Sequence, residues 1–203
     1  MNHIDKIFYI NLDERKDRKE QIEKEFKNFE IPSEKVERFE AIKHQYGMIG
    51  CSKSHLSVLK LALKNNYENT IIFEDDFEFL VKKEEFYSLL KQFFEKYKDN
   101  FDFCYLQYDL KENEDKDDIV GYARKTHGAA GYIINKRILK QYIEILESAT
   151  DNLIKTHKHW IYACDVCWHS LQKSRESYYF KQRIGKQRAS FSNLSNRFED
   201  RNY

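Results

Sequence analysis

Cysteine is scarce in this chain. Cys51, Cys104, Cys164 and Cys167 are too few and too irregularly spaced for a disulfide framework, so reduced thiols are expected. Cys164 and Cys167 have C-x-x-C spacing, but no second pair accompanies them and the strand context of a redox motif is missing, which leaves a helix carrying two ordinary thiols. Net charge is scarce too: 35 Lys and Arg face 34 Asp and Glu, and the resulting +1 offers no global attraction to nucleic acid or an anionic membrane. Any anionic ligand must be held locally. No apolar run approaches the roughly 20 residues that span a bilayer. Residues 1–6 lead into a strand-like segment without the apolar stretch of a signal peptide. The expectation is a soluble, cytoplasmic protein with no transmembrane segment. Pro32 is the single proline, and with abundant Lys, Asn, Ile, Phe and Tyr it speaks of an AT-rich genome more than of a function.

What the chain does have is an apolar run that stops in three acids, Thr70-Ile-Ile-Phe-Glu-Asp-Asp76. Ile71, Ile72 and Phe73 read as a strand buried on both faces. The acids then emerge at its carboxyl end, the edge of an open α/β sheet where ligands bind. Period-2 spacing predicts that Glu74 and Asp76 point to one side. Clustered carboxylates repel unless a positive charge lies between them, and a hard cation, Mn²⁺ or Mg²⁺, shared with nucleotide phosphates meets that need. A solvated acidic turn is the alternative.

At 203 residues the chain suits one domain with its own core. Strands are predicted at residues 6–11, 36–42, 70–74, 101–106, 119–123 and 129–134, and helices at 18–29, 83–98, 136–148 and 164–173. Asp17 is expected to cap the first helix. Residues 47–51 read as a flexible loop, after which Ser52 or Ser54 caps a helix running to about residue 65. The charged run 111–118 reads as a solvated, mobile loop, and the tail from Gly185 as a segment ordered only by a ligand. Alternating strands and helices in the first half favour an α/β fold with a mainly parallel sheet.

Several stretches together resemble glycosyltransferase family 25, the group of lipopolysaccharide-type and collagen-type sugar transferases. They are Tyr9-Ile-Asn-Leu-Asp13 with Arg15 and Arg18, then Gly50-Cys-Ser-Lys-Ser-His55, then Ile71-Ile-Phe-Glu-Asp-Asp76. Looser matches follow in Gly128-Ala-Ala-Gly-Tyr132, Asp165, and Gln187 with Ser190 and Ser192. The resemblance implies a single domain of GT-A type fold that binds a nucleotide-diphosphate sugar, with residues 1–110 as its donor and metal half and 111–203 as its acceptor half. It also implies metal-dependent transfer from a UDP-sugar to a hydroxyl of a glycan or glycoprotein acceptor, with inversion. The acids here form Glu74-Asp75-Asp76 and not a strict Asp-x-Asp.

Such a transfer needs the leaving phosphates neutralised as negative charge grows on them. Asp76, with Glu74 or Asp75, is the expected metal holder. Asn11 and Asp13 are expected to hydrogen-bond a base or ribose, and Arg15 or Arg18 to reach the ring or phosphates, unless one only pairs with surface acids. Gly50 lets backbone approach a ligand, while Ser54 and His55 stand at a helix start suited to anions. His55 can equally be a helix-start residue bonded to a carbonyl, and His127 beside Gly128 is similar. His169 lies four residues after Asp165 on the same helix face, where it can orient the acid, touch the phosphates or serve the metal, or else form with Asp165 a partly buried polar pair beside Trp168. An acceptor hydroxyl needs a base, for which Asp165 leads and Asp109 follows. Two other readings compete: a metal-dependent phosphodiester or pyrophosphate hydrolase, against which the near-zero net charge argues for nuclease forms, and an inactive sugar- or nucleotide-binding module.

Overall fold

The computed structural model describes residues 1–174, 176–192 and 197–199. The chain opens with β1 (Lys6–Asn11), passes through α1 (Lys16–Asn28) to β2 (Val36–Glu40), and returns through α2 (Gly47–Lys64) to β3 (Asn69–Glu74). β4 (Phe77–Phe79), α3 (Lys83–Tyr97) and β5 (Phe103–Tyr105) follow. Next come β6 (Asp109–Asp115), β7 (Val120–His127), β8 (Gly131–Asn135) and the long helix α4 (Lys136–Thr156). Three short helices, α5 (His159–Tyr162), α6 (Cys164–Cys167) and α7 (His169–Ser174), precede β9 (Ser177–Phe180). β10 (Gly185–Gln187), β11 (Ser190–Ser192) and β12 (Arg197–Glu199) complete the described elements.

Eight strands form one sheet in the order β2-β1-β3-β8-β5-β9-β7-β6. β1 pairs in parallel with β2 and β3, as the alternating pattern predicts for the first half. The sheet as a whole is mixed, because β8 runs antiparallel between β3 and β5, and β7 antiparallel to β9 and β6. The reason for β8 is local: the Glu74 N–H donates to the Ala130 carbonyl at 2.9 Å, so β8 starts beside the end of β3 and must run back along it. The fold is α/β, with one large central sheet.

Alternation along the strands supplies both faces of the core. Ile7, Tyr9, Ile71 and Phe73 pack on one side with Ile22 and Phe26 of α1 and Phe86, Leu90 and Phe93 of α3. Phe8, Ile10 and Ile72 pack on the other with Val58 and Leu59 of α2 and Leu139 and Tyr142 of α4. Each such side chain, fully buried, contributes roughly 1.5–3 kcal/mol, and Phe73→Ala is expected to cost about 3–5 kcal/mol. Ile71, Ile72 and Phe73 are indeed wholly buried, which is what a double-sided core requires of β3.

Four elements differ from the sequence expectation. Residues 47–51 are the first turn and a half of α2, not a loop. The charged run lies mostly in β6, an edge strand whose exposed charges suit the unpaired side of a sheet. The expected helix 164–173 is divided at Trp168, whose buried indole N–H donates to the Thr126 carbonyl at 3.1 Å. The tail does not wait for a ligand throughout, since β10 pairs antiparallel with β4.

Candidate active site

β1 and β3 lie side by side with Ile10 opposite Glu74, so their carboxyl ends place Asn11 and the acidic triplet at one edge. β3 ends at Glu74, and the chain turns through Asp75 and Asp76 before β4. Strand alternation therefore stops short of Asp76, and the expected same-side pairing of Glu74 and Asp76 gives way to a different division. Asp75 and Asp76 share Arg18, whose Nη1 is 2.9 Å from Asp75 Oδ1 and 3.1 Å from Asp76 Oδ2. Glu74 turns to His55, with Oε1 3.1 Å from the imidazole Nε2. Gln187 of β10 also donates to Glu74, at 3.3 Å, so the carboxyl-terminal segment reaches the triplet.

Asn11 is buried and heavily used by the protein itself. Its amide donates to Asp75 Oδ2 at 2.7 Å and to the Arg15 carbonyl at 3.0 Å, and its Oδ1 accepts from Arg38 Nε at 3.0 Å. It positions Asp75. Burial drives the Asp75 carboxyl upward in pKa despite the opposing pull of Arg18 and the Asn11 bond. Asp13 is exposed and pairs with Arg38 at 3.2 Å. Arg15 is the N-cap of α1 and forks onto Asp17, both contacts at 2.9 Å, so Asp17 sits in the first turn and does not cap. The Arg15 fork holds the Asp17 carboxyl down to about 2. Of the two arginines, Arg18 is the one that reaches the triplet.

The expectations for Gly50, Ser54 and His55 need correction, because α2 begins at Gly47 and all three lie inside it. A Cβ on Gly50 would meet the Ile42 carbonyl oxygen at 2.4 Å, so its small size serves close packing against the chain. Ser54 is buried, donates to the Gly50 carbonyl at 2.7 Å and accepts from the Ile42 N–H at 2.8 Å, strapping the incoming segment to the helix. His55 is fully buried, with Nδ1 3.1 Å from the Tyr132 hydroxyl and Nε2 at Glu74. Burial alone would lower its pKa. Hydrogen bonds to Cys51 and Glu74 outweigh burial and push it up to about 10.

A second group lies along the segment that leads into β8. Gly128, with φ of +92° and a Cβ position blocked by Gln107, donates its N–H to Asp165 Oδ2 at 3.0 Å. A left-handed φ there favours glycine. Asp109 stands opposite His127 across β6 and β7 and pairs with Lys111 at 2.9 Å. His169 stacks on His127 with ring centroids 4.9 Å apart. The structure therefore gathers Asp109, His127, Asp165 and His169 into one neighbourhood, joined to the triplet through the Ala130–Glu74 hydrogen bond. Among the described residues, the three metal-type donors whose ligand atoms all lie within 4.8 Å of one another are Cys51, His55 and Cys164. Sequence reading missed that trio, whose one legible signal is the i, i+4 spacing of Cys51 and His55.

Against known proteins, residues 45–168 match glycosyltransferase family 25, described as an LPS biosynthesis protein. The match covers more than half of the chain and includes α2, the triplet and Asp165, while the β1 motif lies outside it. No curated protein matches the sequence. Among solved structures, A197 from STIV has a TM-score of 0.51 at 13% identity, covering 98% of this chain and 95% of that one. A glycosyltransferase involved in the glycosylation of the major capsid of PBCV-1 has a TM-score of 0.49 at 7% identity, covering 87% of this chain and 93% of the other. Apo-UDP-glucose pyrophosphorylase has a TM-score of 0.49 at 12% identity, covering 90% and 74%. No helix among the described residues is long and apolar enough to cross a membrane. The chain belongs to glycosyltransferase family 25 and is a glycosyltransferase.

Proposed function

We propose that this glycosyltransferase moves a sugar from a UDP-sugar to a hydroxyl of a glycan or glycoprotein, with inversion, assisted by Mn²⁺ or Mg²⁺. The observation that carries the reading is the convergence of Asp75 and Asp76 on one cationic group at the carboxyl ends of β1 and β3. That donor set fits a hard divalent ion, since two carboxylates already hold a positive charge between them. Asp76, with Asp75, would hold the ion, and when bound it supplies neutralisation of the charge that grows on the leaving diphosphate.

The chain's own residues do the rest. Asn11 fixes the Asp75 carboxylate, and the Arg18 guanidinium, poised at both acids, is the group best placed to pass to the diphosphate. In an inverting displacement, the acceptor oxygen bonds to the anomeric carbon on the face opposite the departing phosphate oxygen. The hydroxyl proton goes to a carboxylate. Asp165 takes that role, oriented by the Gly128 N–H that donates to its Oδ2. Asp109 is the alternative, held by Lys111. Turnover of a panel of nucleotide sugars, with and without Mn²⁺, tests the proposal. Metal-stimulated transfer from a UDP-sugar supports it. Release of free sugar or phosphate without transfer to any acceptor counts for a hydrolase instead.

A further inference from the structure

We propose that Cys51, His55 and Cys164 form a zinc site that ties α2 and α6 together beside the end of β3. Cys51 and His55 are one helical turn apart on α2 and so share a face. Cys164 arrives from a segment 113 residues away and places its Sγ 3.8 Å from that of Cys51. Glu74 Oε1 lies 3.5 Å from Cys51 Sγ and 3.1 Å from His55 Nε2.

The ligand atoms of Cys51, His55 and Cys164 all lie within 4.8 Å of one another, within reach of a single ion. With zinc–sulfur bonds near 2.3 Å, tetrahedral angles put two sulfurs about 3.8 Å apart, which matches the Cys51–Cys164 separation. The thiolates and imidazole are borderline-to-soft donors, which select zinc over the hard ion expected at Asp75 and Asp76. His55 is also prepared for the task. Its Nδ1 faces the Tyr132 hydroxyl, so that partner can fix the tautomer that leaves Nε2 as the ligand, the arrangement common at histidine-zinc sites. Cys167 stays outside, its Sγ donating to the Cys164 carbonyl at 3.5 Å.

The fold gives such a tie a purpose. α6 is four residues long, has no side-chain cap, and follows the equally short α5. Helices of that length have little stability of their own. A metal at Cys164 would hold Asp165, the next residue, in register with the triplet.

The test uses the intact chain, purified with reductant, stripped by a chelator and titrated with Co²⁺ and then Zn²⁺. The expected result is about one ion per chain, with a thiolate-to-cobalt charge-transfer band that zinc abolishes, and a higher Tm with zinc. Cys51→Ser and Cys164→Ser should each lose the band and the zinc, while Cys167→Ser keeps both. Cobalt binding without a thiolate band, or zinc content unchanged in both serine variants, would place the ion at the acidic pair and overturn the site, as would no binding at all. If a serine variant fails to fold, the wild-type cobalt spectrum still decides. The outcome is independent of the sugar donor, since neither readout involves transfer.

Discussion

One guanidinium nitrogen of Arg18 lies 2.9 Å from Asp75 Oδ1, and the two side chains are only 12% and 9% exposed. The same nitrogen reaches Asp76 at 3.1 Å, so a single cation offsets two nearly buried acids. Removing one partner of a buried pair leaves charge without compensation. Arg18→Ala is therefore expected to destabilise the metal-free protein by about 3 kcal/mol in urea unfolding, with part of the loss recovered in Mn²⁺. Equal stability of the variant and the parent would show that Arg18 is not the counter-charge of this edge.

Asp76 carries the complementary prediction. Its carboxylate is in the turn after β3 and outside the apolar contacts that hold the strand, so Asp76→Asn should preserve the fold. Calorimetry should then show UDP binding that no longer responds to Mn²⁺. Unchanged metal-dependent binding would move the hard-ion site elsewhere.

The sequence was most legible where local pattern and tertiary burial agree. Ile71 to Phe73 are apolar because both faces of β3 are covered, and the acids after them mark the sheet edge. It was least legible where one residue type serves two ends. Gly47 and Gly50 look like a loop, yet they begin α2, and Gly50 is small because the Ile42 carbonyl lies against it. That misreading put His55 at a helix start and hid the face it shares with Cys51. The charged run became β6 because β7 pairs with it along the sheet edge, a tertiary gain that no apolar alternation announces. Cys164 could be joined to Cys51 only in three dimensions.

His169 links the second group to pH. Burial first, then the neighbouring His127 and Lys125, push its pKa down to about 4, whereas an unfolded histidine titrates near about 6.5. Between those values the unfolded chain binds the extra proton, so stability is fully present above about 6.5 and falls as pH drops toward about 4. Discounted for the ring's partial exposure, the loss is about 1–2 kcal/mol. Denaturation of His169→Gln should show a flatter profile across that window. An identical slope in both proteins would mean that the imidazole binds its proton equally well in the folded and unfolded chains.

The base carries the last prediction. An acceptor hydroxyl has a pKa far above neutrality, so its proton must leave as the glycosidic bond forms, and a well-placed carboxylate contributes roughly 10²–10⁴-fold. Asp165 Oδ2 accepts the Gly128 N–H at 3.0 Å, a bond that an asparagine oxygen can also accept. Asp165→Asn thus removes the basicity and keeps the anchor. A purely structural Asp165 would show up as lost stability with normal turnover, since its work would be to hold the left-handed Gly128 in place. A catalytic Asp165 gives the opposite pattern: parental Tm, parental UDP binding, and kcat lower by about two orders of magnitude or more. The same substitution at Asp109 separates the candidates further, because Asp109 pairs with Lys111 and should lose little activity if Asp165 is the base. Near-normal transfer by folded Asp165→Asn, with a large loss in Asp109→Asn, would reverse the assignment.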